Sequence, residues 1–431
     1  MKKILWACVG MALSTALQAQ VGVEKTDSIE MGVTYLNDVY YLLNDGSQKS
    51  EATNNWHIAF QTGGQTDGIR VNTATATGAN DGTTRVFVYP NGSAGDWATA
   101  FDTSNYTTWL SLNNSDEYWS VGALNTTGGQ FPDFGWGVYN MSTHIVTGDS
   151  LYLITYKLNG ADHFKKLYVE KKQSGNWFFK FADLDGSNET SVELKSADYS
   201  GKNFIYYNLE TASALDREPA AWDFVLTRYA ALQPNGVYFP STGILTNAGV
   251  YAAKASGKEV ADLELADTVV GFADGKINVI NYDWKHYEIG QQGVEWYTED
   301  SLAYFILDRD DILWKVVFTA FGGSANGKTV FTKTQITPGT SVKSPESNLK
   351  STALYPNPAN AATQLVLHAN GNETALVRLL DVQGKEVYAI SVEVDEALEV
   401  LELNLEGLNT GVYFVQVSAN GFQSTQKLVK N

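Results

Sequence analysis

Short runs in which apolar and polar residues alternate, closed off by Gly, Asn or Asp, recur along this chain and confine it to β-structure. Examples are Arg85-Val-Phe-Val-Tyr89, Leu151-Tyr-Leu-Ile-Thr-Tyr156, Lys166-Leu-Tyr-Val-Glu170, Asn203-Phe-Ile-Tyr-Tyr207 and Trp222-Asp-Phe-Val-Leu-Thr-Arg-Tyr229. Alternation sends successive side chains to opposite faces of a strand, and β-branched and aromatic residues suit a pleated, half-buried surface. No long stretch has helical periodicity with caps at its ends. Aromatic residues make up 12% of the chain and 38 glycines supply the turns, so the reading is all-β.

One pattern occurs twice. Tyr41, Leu43, Trp56, Ile58 and Phe60 have the spacing of Tyr207, Leu209, Trp222, Phe224 and Leu226. Each set reads as an aromatic strand, a polar connection and a Trp-led strand whose alternate positions share one buried face. A looser echo joins Asp149-Ser-Leu and Lys166-Leu to Asp300-Ser-Leu and Lys315-Val. Composition then divides the chain into a leader at 1–19, a β-domain at 20–232, a second β-rich segment at 233–336, a Pro/Ser/Thr-rich linker at 337–349 and a terminal module at 350–431.

The leader has Lys2 and Lys3 before an apolar run from Ile4 to Leu17, then Leu17-Gln18-Ala19 as a cleavage site. That is the grammar of a Sec signal peptide, too short to remain as an anchor, and no later segment reaches the length of a membrane-spanning helix. The single cysteine, Cys8, lies inside this leader, so the mature chain is expected to hold no disulfide and no thiolate ligand. A lipoprotein box at Cys8 is disfavoured because most of the apolar run follows it. The net charge of −18 repels phosphate backbones and anionic lipid, which argues against nucleic-acid partners.

The terminal module carries the most specific signals. Leu354-Tyr355-Pro356-Asn357-Pro358 opens it, and the two prolines fix an extended segment that lacks two ladder donors. Asp381-Val-Gln-Gly384-Lys385 follows as a hairpin turn, then Gly411-Val-Tyr413-Phe-Val and Lys427-Leu-Val. Strands around these pieces predict a small immunoglobulin-like β-sandwich. In order and kind they resemble the type A C-terminal sorting domain of type IX secretion substrates. The resemblance implies passage through the periplasm, engagement of the type IX machinery, and release or attachment at the outer surface.

The passenger resembles a second family in fragments. Trp56-His-Ile-Ala-Phe60 with Ile69-Arg-Val-Asn72, Arg217-Glu-Pro219 and Trp222-Asp-Phe-Val-Leu-Thr-Arg-Tyr229 look like the core strands of HmuY-like proteins. His57 stands where that family's first motif has Asp. The resemblance implies haem as a ligand, and haem needs His or Met beside an apolar surface. Alternation turns His57 away from Ile58 and Phe60, toward solvent. His144 and His163 are the candidate haem ligands, as a pair that a hairpin can bring together. His286 and His368 complete the set.

Three other chemistries have weaker support. Asp183, Asp185 and Asn188 alternate around Gly186 as calcium-loop oxygens do, without the twelve-residue frame. Trp136, between Gly135 and Gly137, reads either as part of a bulged core strand or as the candidate stacking platform for a glycan, and the latter makes a surface adhesion or glycan-binding module the alternative to haem. Trp97, Trp109, Trp119 and Trp177 are further aromatics of this kind. Asp308, Asp310 and Asp311 read as a solvated acidic turn. No nucleophile elbow, zinc-protease or P-loop motif occurs, so an enzyme is not expected.

Overall fold

The alternating segments pair into antiparallel sheets. The computed structural model describes residues 22–63, 67–73, 84–90, 92–129, 131–272, 275–290, 293–336, 348–369, 371–382, 385–394, 397–419 and 422–431. The leader, Gly384 and most of the linker lie outside the described residues. Among those residues every helical element is a short 3-10 turn, and none is long and apolar enough to cross a membrane. Two units part at Gly339 and Thr340.

The passenger begins with β1 (Glu24–Glu30), β2 (Asn37–Tyr41), β3 (Gln48–Ala52), β4 (Ile58–Gln61), β5 (Ile69–Val71) and β6 (Thr84–Val88). Next come β7 (Ser111–Leu112), β8 (Gly137–Asn140), β9 (Ile145–Gly148), β10 (Leu151–Leu158), β11 (Ala161–Gln173) and β12 (Asn176–Ala182). Its second half runs β13 (Thr190–Lys195), β14 (Phe204–Asn208), β15 (Ser213–Leu215), β16 (Phe224–Leu232), β17 (Tyr238–Thr246) and β18 (Tyr251–Ser256). It closes with β19 (Thr268–Val270), β20 (Lys285–Gly290), β21 (Gly293–Thr298), β22 (Leu302–Leu307), β23 (Leu313–Phe321) and β24 (Lys328–Gln335).

Two outer sheets have the orders β13-β12-β11-β10-β6-β7, joined by β8 and β9, and β1-β24-β23-β22-β18-β19. Two inner sheets are β15-β14-β4-β5 and β17-β16-β2-β3, while β20 and β21 stand alone as a hairpin. One core, with Phe60, Trp136, Trp177, Phe179 and Tyr207, fills the space between the first outer sheet and the β14–β4 sheet. A second, with Tyr41, Phe224, Trp284, Trp314 and Phe331, lies under the other outer sheet. The remaining faces of the inner sheets meet through Tyr40, Trp56, Trp119, Tyr206 and Trp222. Strands covered on both faces cannot alternate, and accordingly Phe204 to Tyr207 and Val39 to Tyr41 are buried throughout.

The repeated pattern corresponds to repeated structure. Tyr41 pairs with Phe224 on β16, and Tyr207 pairs with Ile58 on β4. The β11–β12 ladder slips after Val169, and the β23–β24 ladder slips at the equivalent point after Phe318. Lys166 and Lys315 stand three residues before these two bulges. Each half gives its first strands to the other: β1 completes the sheet of β22–β24, and β13 completes that of β10–β12. Residue 233 therefore falls in the turn of the β16–β17 hairpin, and the sheets run through the division that composition suggested there.

The Trp-led strands correct one expectation. Trp56 does not share a face with Ile58 and Phe60; it packs with Ala59, Phe204 and Tyr206. Residues 54–57 form a turn ahead of β4, so parity is reset before the strand begins. Trp222 likewise joins Val225 and Tyr229, opposite Phe224 and Leu226.

The second unit contains β25 (Leu349–Tyr355), β26 (Ala362–Ala369), β27 (Glu373–Asp381), β28 (Glu386–Val394), β29 (Ala397–Asn404), β30 (Gly411–Ala419) and β31 (Phe422–Lys430). Sheets β25-β26-β29 and β28-β27-β30-β31 enclose Leu365, Leu367, Val377, Leu379, Val415 and Val417 as an immunoglobulin-like sandwich. The Tyr413 hydroxyl donates to the Asn409 carbonyl at 3.0 Å, the corner bond typical of such sandwiches.

Candidate functional site

His57 is buried, contrary to the solvent-facing position that alternation assigned it. It precedes the first residue of β4, where the turn directs its ring onto Tyr156, 4.2 Å away between centroids. The Leu209 amide donates to Nδ1 at 3.0 Å, and burial pushes the imidazole down to about 4. Asp223 holds the equivalent place in the second half, where its carboxylate accepts the Leu43 amide at 2.6 Å. Burial pushes that carboxyl up to about 7. Both side chains fasten one half to the other by satisfying a backbone donor that the strand ladder leaves unpaired.

The two candidate haem ligands do not converge. His144 directly precedes β9, whose Ile145 pairs with Gln173 at one end of β11; His163 lies ten residues earlier on that strand. At about 3.3 Å per residue this places them roughly 30 Å apart. A bis-histidine haem does not fit this arrangement. His163 stacks on Tyr156 and lies 3.3 Å from Glu210. His144 is exposed in the β8–β9 turn, with Nδ1 2.6 Å from the Tyr139 hydroxyl. Phe131, 5.7 Å from Tyr139, is 59% exposed, and Met141, three residues before His144 in the same turn, is 60% exposed. Met141 had no role in the sequence reading; its signal was an apolar residue in an otherwise polar turn.

Trp136 is wholly buried, which removes it as a stacking platform. Gly135, with φ of +85°, turns the chain so that the indole drops into the core against Trp177, and Nε1 donates to the Asp67 carbonyl at 3.0 Å. Trp97, Trp109 and Trp177 are buried as well, and Trp119 closes the interface between the inner sheets.

In the β12–β13 turn the oxygens expected on calcium have other partners. Lys165 Nζ lies 2.5 Å from Asp183, Asn188 donates its amide to Asp183 at 2.6 Å, and Ser187 donates to Asp185 at 2.6 Å. Among the described residues no group of three or more His, Cys, Asp or Glu side chains is disposed to hold a metal. Asp308 is also not solvated; it is buried and accepts the Trp314 indole N–H at 2.8 Å and the Ile312 amide at 2.9 Å.

Where the inner sheets meet, a cavity of about 70 Å³ has walls that include Tyr40, Trp56, Trp119, Tyr206 and Glu218. Burial pushes Glu218 up to about 7, while the Asn203 amide and the Tyr206 hydroxyl donate to it at 2.6 and 3.1 Å. Arg217 meets Asp38 at 2.6 Å, and Arg70 donates to the Ser115 and Tyr118 carbonyls at 2.8 and 3.0 Å. Ligand sites usually enclose about 300–1,000 Å³, so this void suits ordered water rather than an organic ligand. A groove of about 360 Å³ lies between the β20–β21 hairpin and residues 322–325, lined by Tyr287, Val294 and Trp296. Its floor is made by Gly323, where a Cβ would come within 2.4 Å of the Trp296 indole nitrogen.

In the second unit the opening motif clasps the last strand. Asn357 donates to the Lys427 carbonyl at 2.6 Å and accepts the Val429 amide at 2.9 Å. Ala359 adds a parallel bridge to Lys430. Pro356 and Pro358 flank Asn357 on the surface, directly after Tyr355 ends β25. Asp381 closes the β27–β28 turn, accepting the Lys385 amide at 3.0 Å. Gly411 begins β30, which places Tyr413 at its corner.

Residues 353–431 match the family of secretion system C-terminal sorting domains. No curated protein matches the chain. Among solved structures, dimeric latent PorU from Porphyromonas gingivalis is 10% identical over 90% of this chain and 35% of its own, with a TM-score of 0.19. Activated α2-macroglobulin from Escherichia coli is 10% identical over 96% and 44%, at 0.17. The chain thus spans well under half of either protein, and likeness of this degree carries no argument.

Proposed function

We infer that a passenger exported by the type IX sorting domain at 353–431 works outside the cell as a ligand-binding protein, with haem as its ligand. The observation that carries this reading is the exposed Phe131, Met141 and His144 beside the half-buried Tyr139. Haem binding calls for an apolar surface and a His or Met axial ligand. Holding Nδ1 of His144 by the Tyr139 hydroxyl orients the ring and leaves Nε2 as the ligating atom, the arrangement common among metal-bound imidazoles. The resemblance of the Trp56 and Trp222 segments to core strands of HmuY-like proteins, read from the sequence alone, points to the same ligand. Hemin titration of the purified chain tests it: a Soret shift at micromolar hemin that disappears in His144→Ala and persists in His163→Ala is expected. No shift in the unaltered protein ends the reading.

A glycan is the second reading. It rests on the groove beside Tyr287 and Trp296, whose volume falls within the range of ligand sites and whose lining has no charged side chain. Loss of glycan-array binding in Tyr287→Ala would favour it over haem.

A further inference from the structure

His57 and Asp223 hold equivalent places in the two halves, yet they differ as acceptors. An imidazole Nδ1 accepts a hydrogen bond only while the ring is neutral with its proton on Nε2, whereas a carboxyl accepts through an oxygen whether or not it carries a proton. The Leu209 amide donates to Nδ1 of His57, and the Leu43 amide donates to Asp223. A proton on Nδ1 would set two N–H groups against each other in a buried site, which costs the bond and leaves a donor unsatisfied. The groups that face His57 come from β10, β11 and the segment after β14. Tyr156 lies against the ring and its hydroxyl donates to Glu210; His163 stacks on the same Tyr156 and lies 3.3 Å from Glu210. Asp183, itself paired with Lys165, also acts on Tyr156. Burial holds the His57 imidazole down, at about 4 against an ordinary 6.5; Glu210 raises it and His163 lowers it, each by less. The segment that Leu209 fastens has few other anchors. Residues 210–212 are exposed, and β15 is the edge strand beyond β14. Exposed chain of this kind opens locally at small cost.

We propose that His57 is an acid-sensitive latch: protonation of its ring breaks the Leu209 bond and frees residues 209–215 from β4 and β10, while the equivalent bond from Leu43 to Asp223 stays closed. Above pH 6.5 the ring is neutral in the latched and the open form alike, and the latch does not respond to pH. Between about 6.5 and 4 the open form binds the proton and the latched form does not, so the latch weakens as pH falls. The loss is about tenfold per pH unit and reaches about 300-fold once both forms are protonated. Asp223, which Asp308, Arg309 and Asp310 face, works the other way. Its folded form takes up a proton before its open form does, so falling pH tightens that bond. Acid thus loosens one of the two fasteners and spares the other.

Amide hydrogen exchange of the purified chain from pH 7 to pH 4, corrected for the intrinsic pH dependence of exchange, is the test. Protection at Leu209 should fall by more than about 100-fold, and protection at Leu43 should hold or rise. In His57→Asn the side-chain oxygen takes the place of Nδ1 and cannot titrate, so Leu209 should stay level over the same range. An equal fall at both amides, a level Leu209 in the unaltered chain, or an undiminished fall in the variant would each overturn the proposal. Should the variant not fold, the two amides of the unaltered chain decide together with the NMR titration of the His57 ring. A midpoint near 4 supports the latch, and a midpoint at the ordinary 6.5 sinks it.

Discussion

Replacing Asp223 by Asn should change how passenger stability depends on pH. The carboxyl lies in the core under the second outer sheet, accepts the Leu43 amide and faces Asp308, Arg309 and Asp310; burial is the main cause raising it to about 7, from an ordinary 3.8. Below pH 4 both folded and unfolded chains keep the proton, and the group adds no pH dependence. Between about 4 and 7 the unfolded chain releases its proton and the folded chain does not, so stability falls as pH rises. A shift of roughly three pH units at about 1.4 kcal/mol each makes the loss about 4 kcal/mol, complete near pH 7. Asn keeps the acceptor for Leu43 and cannot ionise. The variant should therefore gain on the unaltered protein by up to about 4 kcal/mol between pH 4 and pH 8. All eleven tryptophans precede residue 315, so urea unfolding followed by Trp fluorescence reports the passenger without the sorting module. A difference between the two proteins that stays constant from pH 4 to pH 8 would refute the reasoning.

Lys172 and Asp67 form a buried ion pair at 2.5 Å beneath the first outer sheet, and Asp67→Ala should cost about 3–5 kcal/mol in urea unfolding, because it leaves the ammonium without its partner. In the sorting module, Asn357→Ala should free the end of β31, seen as faster hydrogen exchange at Val429 and earlier proteolysis near Lys427, while the Tyr413 corner stays protected.

The β-class, the repeated Trp-led pattern and the terminal sorting motif were legible because each is written in local spacing. Strand alternation is a two-residue rule, and the pieces from Tyr355 to Lys427 keep a fixed order along the chain. What sequence reasoning missed depends on partners far away. His57 is buried because a turn resets parity before β4 and because Tyr156 and Leu209 arrive from β10 and from the segment after β14. Trp136 between its two glycines fits either a stacking platform or a bulged core strand, and the fold decides for the core, with Gly135 folding the indole inward onto Trp177. His144 and His163 are nineteen residues apart in sequence, yet the length of β11 keeps them at opposite ends of one sheet.

By itself the sequence determined which segments are strands, that two sets of them are alike, and that the chain carries an export address. Only the tertiary structure decided that the halves exchange their opening strands. Tyr41 meets Phe224 and Tyr207 meets Ile58, so each core is completed by the other half. The reason is physical: hydrophobic periodicity specifies which face of a strand is buried, but not which strand will lie beside it.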